Sequence, residues 1–379
     1  MHGHIGRVTA IIAAAAVVAT AAAAPATASP APTGHRLLQQ AADDLNGFGF
    51  TGVQVLLRDG HRTTEARAGV ADVATNRPVP KNGWFRMGSN TKTFASIILL
   101  QLAGEGRLRL DDTVERWLPG LVTGNGNDGS KITVRQLLRH QSGLAEYTAH
   151  LPAFASNDAF EKHRYDHWDD ADLVRLALTD PPAFAPGTSW GYSNTNYVLA
   201  GMIIEEVTGK PWDAHLRARI LKPAGMTQTF YPGDDPDLPS PHANAYDSLS
   251  PGEDLIDTTR WNTTAAGAAG GMVTTPTDLS RFWQALQQGR LLRPAQMREM
   301  HDTVPTGDDR GSRYGLGIFL TQLECGTFWG HDGGVPGMYT VDGVTEDGDR
   351  VLVVSVSSPP SDPPNASARV GELLSDTLC

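Results

Sequence analysis

The sequence predicts an α/β (α+β) fold in which both ends of the chain share one sheet and the middle forms a helical lobe. Two observations lead there. Short runs rich in β-branched and aromatic residues, bounded by Gly, Asp or Pro, occur near both ends. Between about 91 and 299 the apolar spacing is helical or irregular.

In chain order, the first segment is a leader. Arg7 precedes an Ala-rich apolar stretch over 11–24, and Ala26-Thr27-Ala28 has the small-x-small form of a cleavage site. These features predict a secretory signal peptide over 1–28 and a secreted product. The remainder, 29–379, reads as one domain, with a sheet lobe over about 36–90 and 300–379 and a helical lobe over about 91–299. No later run is long and apolar enough to span a bilayer. The 52–60 segment reads as a strand ending in a turn, and Arg67 to Val70 and Phe85-Arg86 as further strand pieces. A helix follows Ser89 to about Ala103, and a short one over 114–117 stops before Pro119. Thr133 caps a helix that runs to His140. Amphipathic or apolar helices follow over 169–178, 197–207 and 212–220. Another opens at Thr275-Pro276, with proline in its first turn. The tail returns to strands over 314–320, 327–331, 339–341 and 351–356, and a helix over 367–377 closes the chain.

The formal net charge is -11. A chain this acidic carries no electrostatic footprint for nucleic acid and is not drawn to anionic surfaces. It reads as a monomer with no membrane association once the leader is removed. The only two cysteines are Cys325 and Cys379. In an exported chain they can pair, and a bridge would pin the C-terminal helix to the strands near Cys325.

The chemistry is carried by three motifs. Ser89-Asn90-Thr91-Lys92 begins a helix, so the lysine lies one turn from the serine on the same face. A serine hydroxyl needs a proton acceptor to become a nucleophile, and a lysine amine whose pKa is lowered can serve. Tyr192-Ser193-Asn194 sits in a loop before a helix. Its tyrosine can relay a proton near Lys92, and its asparagine can hold Lys92 or a substrate carbonyl. His331-Asp332-Gly333-Gly334 ends an apolar-aromatic strand, where glycines let a substrate backbone lie close. Gly267, Gly270 and Gly271 lack the spacing of a phosphate loop. The remaining histidines lack metal-ligand spacing, and Asp111-Asp112 and Asp234-Asp235 read as solvated turns. No metal and no cofactor is expected.

In this order the motifs resemble those of the serine penicillin-recognising enzymes. The resemblance is to the branch with S-x-x-K, Y-x-N and H-x-G, which holds class C beta-lactamases, secreted D-Ala-D-Ala carboxypeptidases, D-aminopeptidases and related esterases. It covers roughly residues 36–379. It includes the phrases Phe85-Arg86-Met87-Gly88-Ser89, His140-Gln141-Ser142-Gly143-Leu144 and Pro186-Gly187. The resemblance implies a beta-lactamase/transpeptidase-like fold, with an antiparallel sheet flanked by helices. It implies covalent acyl transfer, with Ser89 as nucleophile and Lys92 and Tyr192 managing the proton, either of them the base. Asn194, His331, Asp332, Gly333, Gly334 and Phe319 would meet substrate, and the backbone N–H groups of Ser89 and Gly334 would form the oxyanion hole. The Cys325–Cys379 pair fits the secreted DD-carboxypeptidases. The implied partners are a small peptide or peptidoglycan-like acyl-D-amino acid, with beta-lactams as acylating ligands.

Three departures bear on substrate. Asp332 stands where relatives carry a small residue, and Gly334 replaces a frequent threonine. Phe319 occupies the position of an arginine that meets the substrate carboxylate in the DD-carboxypeptidases. The first expectation is a D-alanyl-D-alanine carboxypeptidase. The alternatives are the same chemistry on D-amino-acid amides, D-peptides or esters, and a catalytically silent penicillin-binding module.

Overall fold

A computed structural model describes residues 34–308, 311–323 and 325–379. The leader expected over 1–28 lies outside the described residues. A 10-stranded sheet organises the chain. Its order is Val304–Pro305, Arg313–Tyr314, Phe319–Leu323, Gly326–Gly330, Met338–Thr345, Arg350–Ser357, Gly52–Asp59, Arg62–Asp72 and Arg77–Pro78, with Asp332–Val335 also paired to Met338–Thr345. All the pairings are antiparallel, as expected. The first long strand, Gly52–Asp59, lies between its hairpin partner and the last strand, with Val55 opposite Val354.

Side chains alternate across a strand, and the Arg350–Ser357 strand is buried on both faces. Leu352, Val354 and Val356 pack with Leu38, Leu45, Val370 and Leu373 of the terminal helices Gly34–Gly47 and Pro363–Leu378. Val351 and Val353 belong to the opposite core, with Phe94, Phe282 and Trp283. The helix Pro276–Gln287 thus covers the sheet's other face, although it falls in the middle of the sequence.

Behind it lies Thr91–Gly104, a helix buried nearly all round, which is the pattern of an interior helix. Phe94 stacks on Phe282 at 4.0 Å and locks the two together. Thr133 and Gln136 form a capping box at the start of Val134–Leu138. Several local readings change: the helix expected over 212–220 is a 3-10 turn, Trp212–His215, followed by a π turn, Arg217–Leu221, and the one expected to run to His140 stops at Leu138. The 314–320 run is two short strands, Arg313–Tyr314 and Phe319–Leu323, because Gly317 turns the chain at φ +80° and packs where a Cβ would strike Ser96 Oγ. Asp112 is buried rather than solvated, and its carboxylate accepts from the Arg109 N–H and from Arg116.

Candidate active site

The three motifs converge where the buried helix Thr91–Gly104 meets the edge of the sheet. Ser89 lies in the single turn Gly88–Asn90 that leads into this helix and keeps partial exposure. The strand Asp332–Val335 runs directly over that turn. A Cβ on Gly333 would sit 2.1 Å from the Met87 carbonyl, and one on Gly88 would sit 2.6 Å from Gly334 N. Gly88 also needs its φ of +53°. Glycine at both positions is therefore what lets the two segments touch.

Hydrogen bonding alternates along an antiparallel pair. The two-residue loop Pro336-Gly337 makes Val335 and Met338 a bonded pair, so Gly334, opposite Tyr339, turns its N–H away from the neighbouring strand. That direction faces the Gly88–Ser89 turn.

Lys92 is fully buried. Its Nζ lies 3.0 Å from Ser89 Oγ, 2.6 Å from Asn194 Oδ1 and 2.7 Å from the Ala269 carbonyl. Burial lowers its pKa to about 7, against the opposing pull of Glu146. Asn194 cannot flip its amide, because its Nδ2 and its backbone N–H both donate to Glu146 Oε2, at 3.0 and 2.8 Å. Its Oδ1 and the Ala269 carbonyl can only accept. In the neutral amine they take both Nζ protons, and the lone pair faces the Ser89 hydroxyl.

Tyr192 brings its ring to 4.9 Å from Lys92 Nζ. Its buried hydroxyl lacks a partner of good hydrogen-bond geometry, although it lies near enough to Ser89 to interact. Burial pushes its pKa well above the usual phenol value, and Ser89 offsets this only in part. The phenol is therefore neutral.

His331 is also buried. Its Nδ1 lies 2.6 Å from the Asp332 carbonyl and must donate to it, so Nε2 accepts from the Tyr314 hydroxyl at 2.9 Å. Burial, then Lys92, lowers its pKa to about 3. Both ring nitrogens are thus engaged within the protein, and His331 supports the edge strand. Asp332 is exposed at the rim. Phe319 stands 4.5 Å from the Tyr314 ring and 5.1 Å from the His331 ring, lining the same side. Arg313 is exposed and bonded to Thr303 by Nε at 2.8 Å and Nη2 at 2.7 Å.

Four contributors were not singled out by residue type. Glu146 orients Asn194. The Ala269 carbonyl, inside the glycine cluster dismissed as a phosphate loop, holds Lys92. His140, read only as the end of a helix and as part of a quoted phrase, stacks on Tyr192 with ring centroids 4.2 Å apart. Asp342 accepts from the His331 N–H at 3.1 Å. Trp329 pairs with Val344 and Asp332 with Val341. The residues between them therefore face each other in register, and the Asp342 carboxyl stands in for a ladder carbonyl. Its pKa is raised well above the carboxylate range, by burial first.

Comparison with known proteins follows the same outline. The chain is similar to a D-stereospecific amidohydrolase from Streptomyces sp., at 41% identity and a TM-score of 0.83, covering 88% of this chain and 97% of that one. It is similar to the D-amino acid amidase of Ochrobactrum anthropi SV3, at 30% identity and a TM-score of 0.77, covering 90% and 98%. A penicillin-binding protein of Bacillus subtilis (strain 168) is 29% identical over 304 residues, 77% of this chain, and the chain spans 64% of that relative's length. The family model described as Beta-lactamase matches residues 38–376. With the motifs gathered in one place, the chain belongs to the beta-lactamase family, the penicillin-recognising serine hydrolases that work through an acyl-enzyme.

Proposed function

We propose that this protein hydrolyses amides of D-amino acids or short D-peptides through an acyl group carried on Ser89. The observation that carries the reading is the buried Lys92 amine 3.0 Å from Ser89 Oγ, its pKa brought down to about 7 by burial so that a neutral fraction is present near pH 7. Ser89 Oγ attacks the substrate carbonyl as its proton passes to Lys92 Nζ. Tyr192, whose phenol stays protonated, suits the second half of the step. As the C–N bond breaks, it gives its proton to the departing nitrogen and regains one from Lys92. The N–H groups of Ser89 and Gly334 would hold the oxyanion, each worth about 3 kcal/mol in the transition state. One Nδ2 proton of Asn194 goes to Glu146, which holds its Oδ1 on Lys92 and leaves the second Nδ2 proton for the substrate carbonyl. Water attacks the acyl-serine with the same groups reversed, releasing the acid and restoring the hydroxyl.

The choice of an amide over a D-alanyl-D-alanine acid rests on the leaving-group side. A departing amino acid with a free carboxylate calls for a cation, best an arginine that bonds it bidentately. Here Phe319 lines that side, and Arg313 is bound to Thr303. The similarity to two hydrolases named for D-amino-acid amides or D-stereospecific amide cleavage favours the same reading.

The test compares kcat/KM for a D-amino-acid amide, its L enantiomer and an acyl-D-Ala-D-Ala acid, with Ser89→Ala as control. The D-amide should lead clearly, and S89A should lose turnover and any acyl adduct seen by mass spectrometry. Preference for the acid would restore the carboxypeptidase reading. An adduct on another residue would end the mechanism.

A further inference from the structure

Tyr192 is held by one residue from three directions. The His140 carbonyl accepts from the Gly191 N–H at 2.9 Å. The His140 Nδ1 lies 3.2 Å from Ser193 N and 3.1 Å from Asn196 Nδ2. Its ring stacks on Tyr192 at 4.2 Å and 29°. The residues before and after Tyr192 are thus pinned to the same histidine that its ring rests on.

A backbone N–H can only donate, so Nδ1 must carry a lone pair and the imidazole must be neutral, with its proton on Nε2. Lys92, His331 and the rings of Tyr197, Tyr314 and Trp190 surround it. Burial first, then the two nearby basic groups, holds its pKa well below the usual value. The residue is fully buried and sits at φ +58°, a backbone region where histidine is several-fold enriched among non-glycine residues. Its ring is buried, so it acts on the chemistry through its neighbours, and Tyr192 is the one it stacks on.

We infer that His140 is a positioning residue that fixes the Tyr192 hydroxyl for proton donation to the leaving group. This rests on the donor role proposed for Tyr192, so the experiment separates the two ideas. His140→Asn keeps a side-chain acceptor for Ser193 and tolerates positive φ, but it removes the stacking ring. It is compared with Tyr192→Phe and the double variant on two substrates. One is a D-amino-acid amide, whose nitrogen must be protonated to leave. The other is a nitrophenyl ester, whose phenolate leaves without a proton.

H140N and Y192F should each lower kcat on the amide about 10²-fold. Both should leave KM and ester acylation little changed, and the double variant should be no worse than Y192F. If Y192F cleaves the amide like the parent, the donor role falls and the inference with it. If Y192F is slow but H140N is not, or if their costs add, the inference alone falls. Equal loss on the ester would mark His140 as merely structural and also overturn it. Should H140N not fold, ¹⁵N NMR of histidine-labelled parent enzyme decides. Nδ1 should be a bare acceptor throughout the pH range of turnover, and an imidazolium there would refute the inference.

Discussion

At the scale of single residues, the site is governed by which groups can be charged in a buried place. Lys92 is kept near neutrality by burial, while Glu146 pulls the other way. The amine must be neutral to accept the Ser89 proton, so kcat/KM should rise with pH through about 7 and level off above it. Glu146→Gln keeps an oxygen for Asn194 but removes the negative charge that favours protonated Lys92. The sign follows directly: Lys92 should lose its proton at lower pH, and the acid limb should move down. The check is a pair of pH profiles on one substrate, and an upward shift would contradict the electrostatic account. The Ser89–Lys92 pair was legible in the sequence because one helical turn links them. Glu146 was not. Its bond to Asn194 spans 48 residues, and nothing at either position marks the other.

Secondary-structure elements meet here by close backbone approach. The strand Asp332–Val335 touches the Gly88–Asn90 turn only because two facing residues lack a Cβ. Gly333→Ala would put a methyl 2.1 Å from the Met87 carbonyl. Overpacking of this kind costs about 1–3 kcal/mol, and it should push the Gly334 N–H away from Ser89. Thermal unfolding and acylation kinetics together should show a modest loss of stability with a larger loss of acylation rate. A variant with parental kinetics would remove the strand from the site. Most long helices and strands could be read from apolar period, because burial on one or both faces imposes it. The 314–320 run misled because its apolar residues continue through a glycine turn. The Ala269 carbonyl was beyond reach because every residue carries a carbonyl and sequence does not tell which one is aimed at Lys92.

For the whole molecule, the disulfide is separate from the chemistry. Cys325 and Cys379 are bonded, joining the end of the helix Pro363–Leu378 to the hairpin between Phe319–Leu323 and Gly326–Gly330. The sequence separation is 54, for which loop-closure entropy gives about 4 kcal/mol. Replacing both cysteines with serine should lower the unfolding midpoint in urea and leave kcat close to that of the parent. Unchanged stability would show that the terminal helix is held by packing alone, through contacts such as Arg369 with Asp44 at 2.8 Å. The position of Gly52–Asp59 between its hairpin and the last strand has a consequence for synthesis. While the chain is being made, the strand emerges early and exposes an unpaired edge. Its partner, Arg350–Ser357, follows only after the helical lobe between them. Until then Gly52–Asp59 has only its hairpin partner and the helix Gly34–Gly47 to pack on. The central sheet therefore cannot close until Arg350–Ser357 has emerged, so its closure waits on a pairing between strands far apart in the sequence.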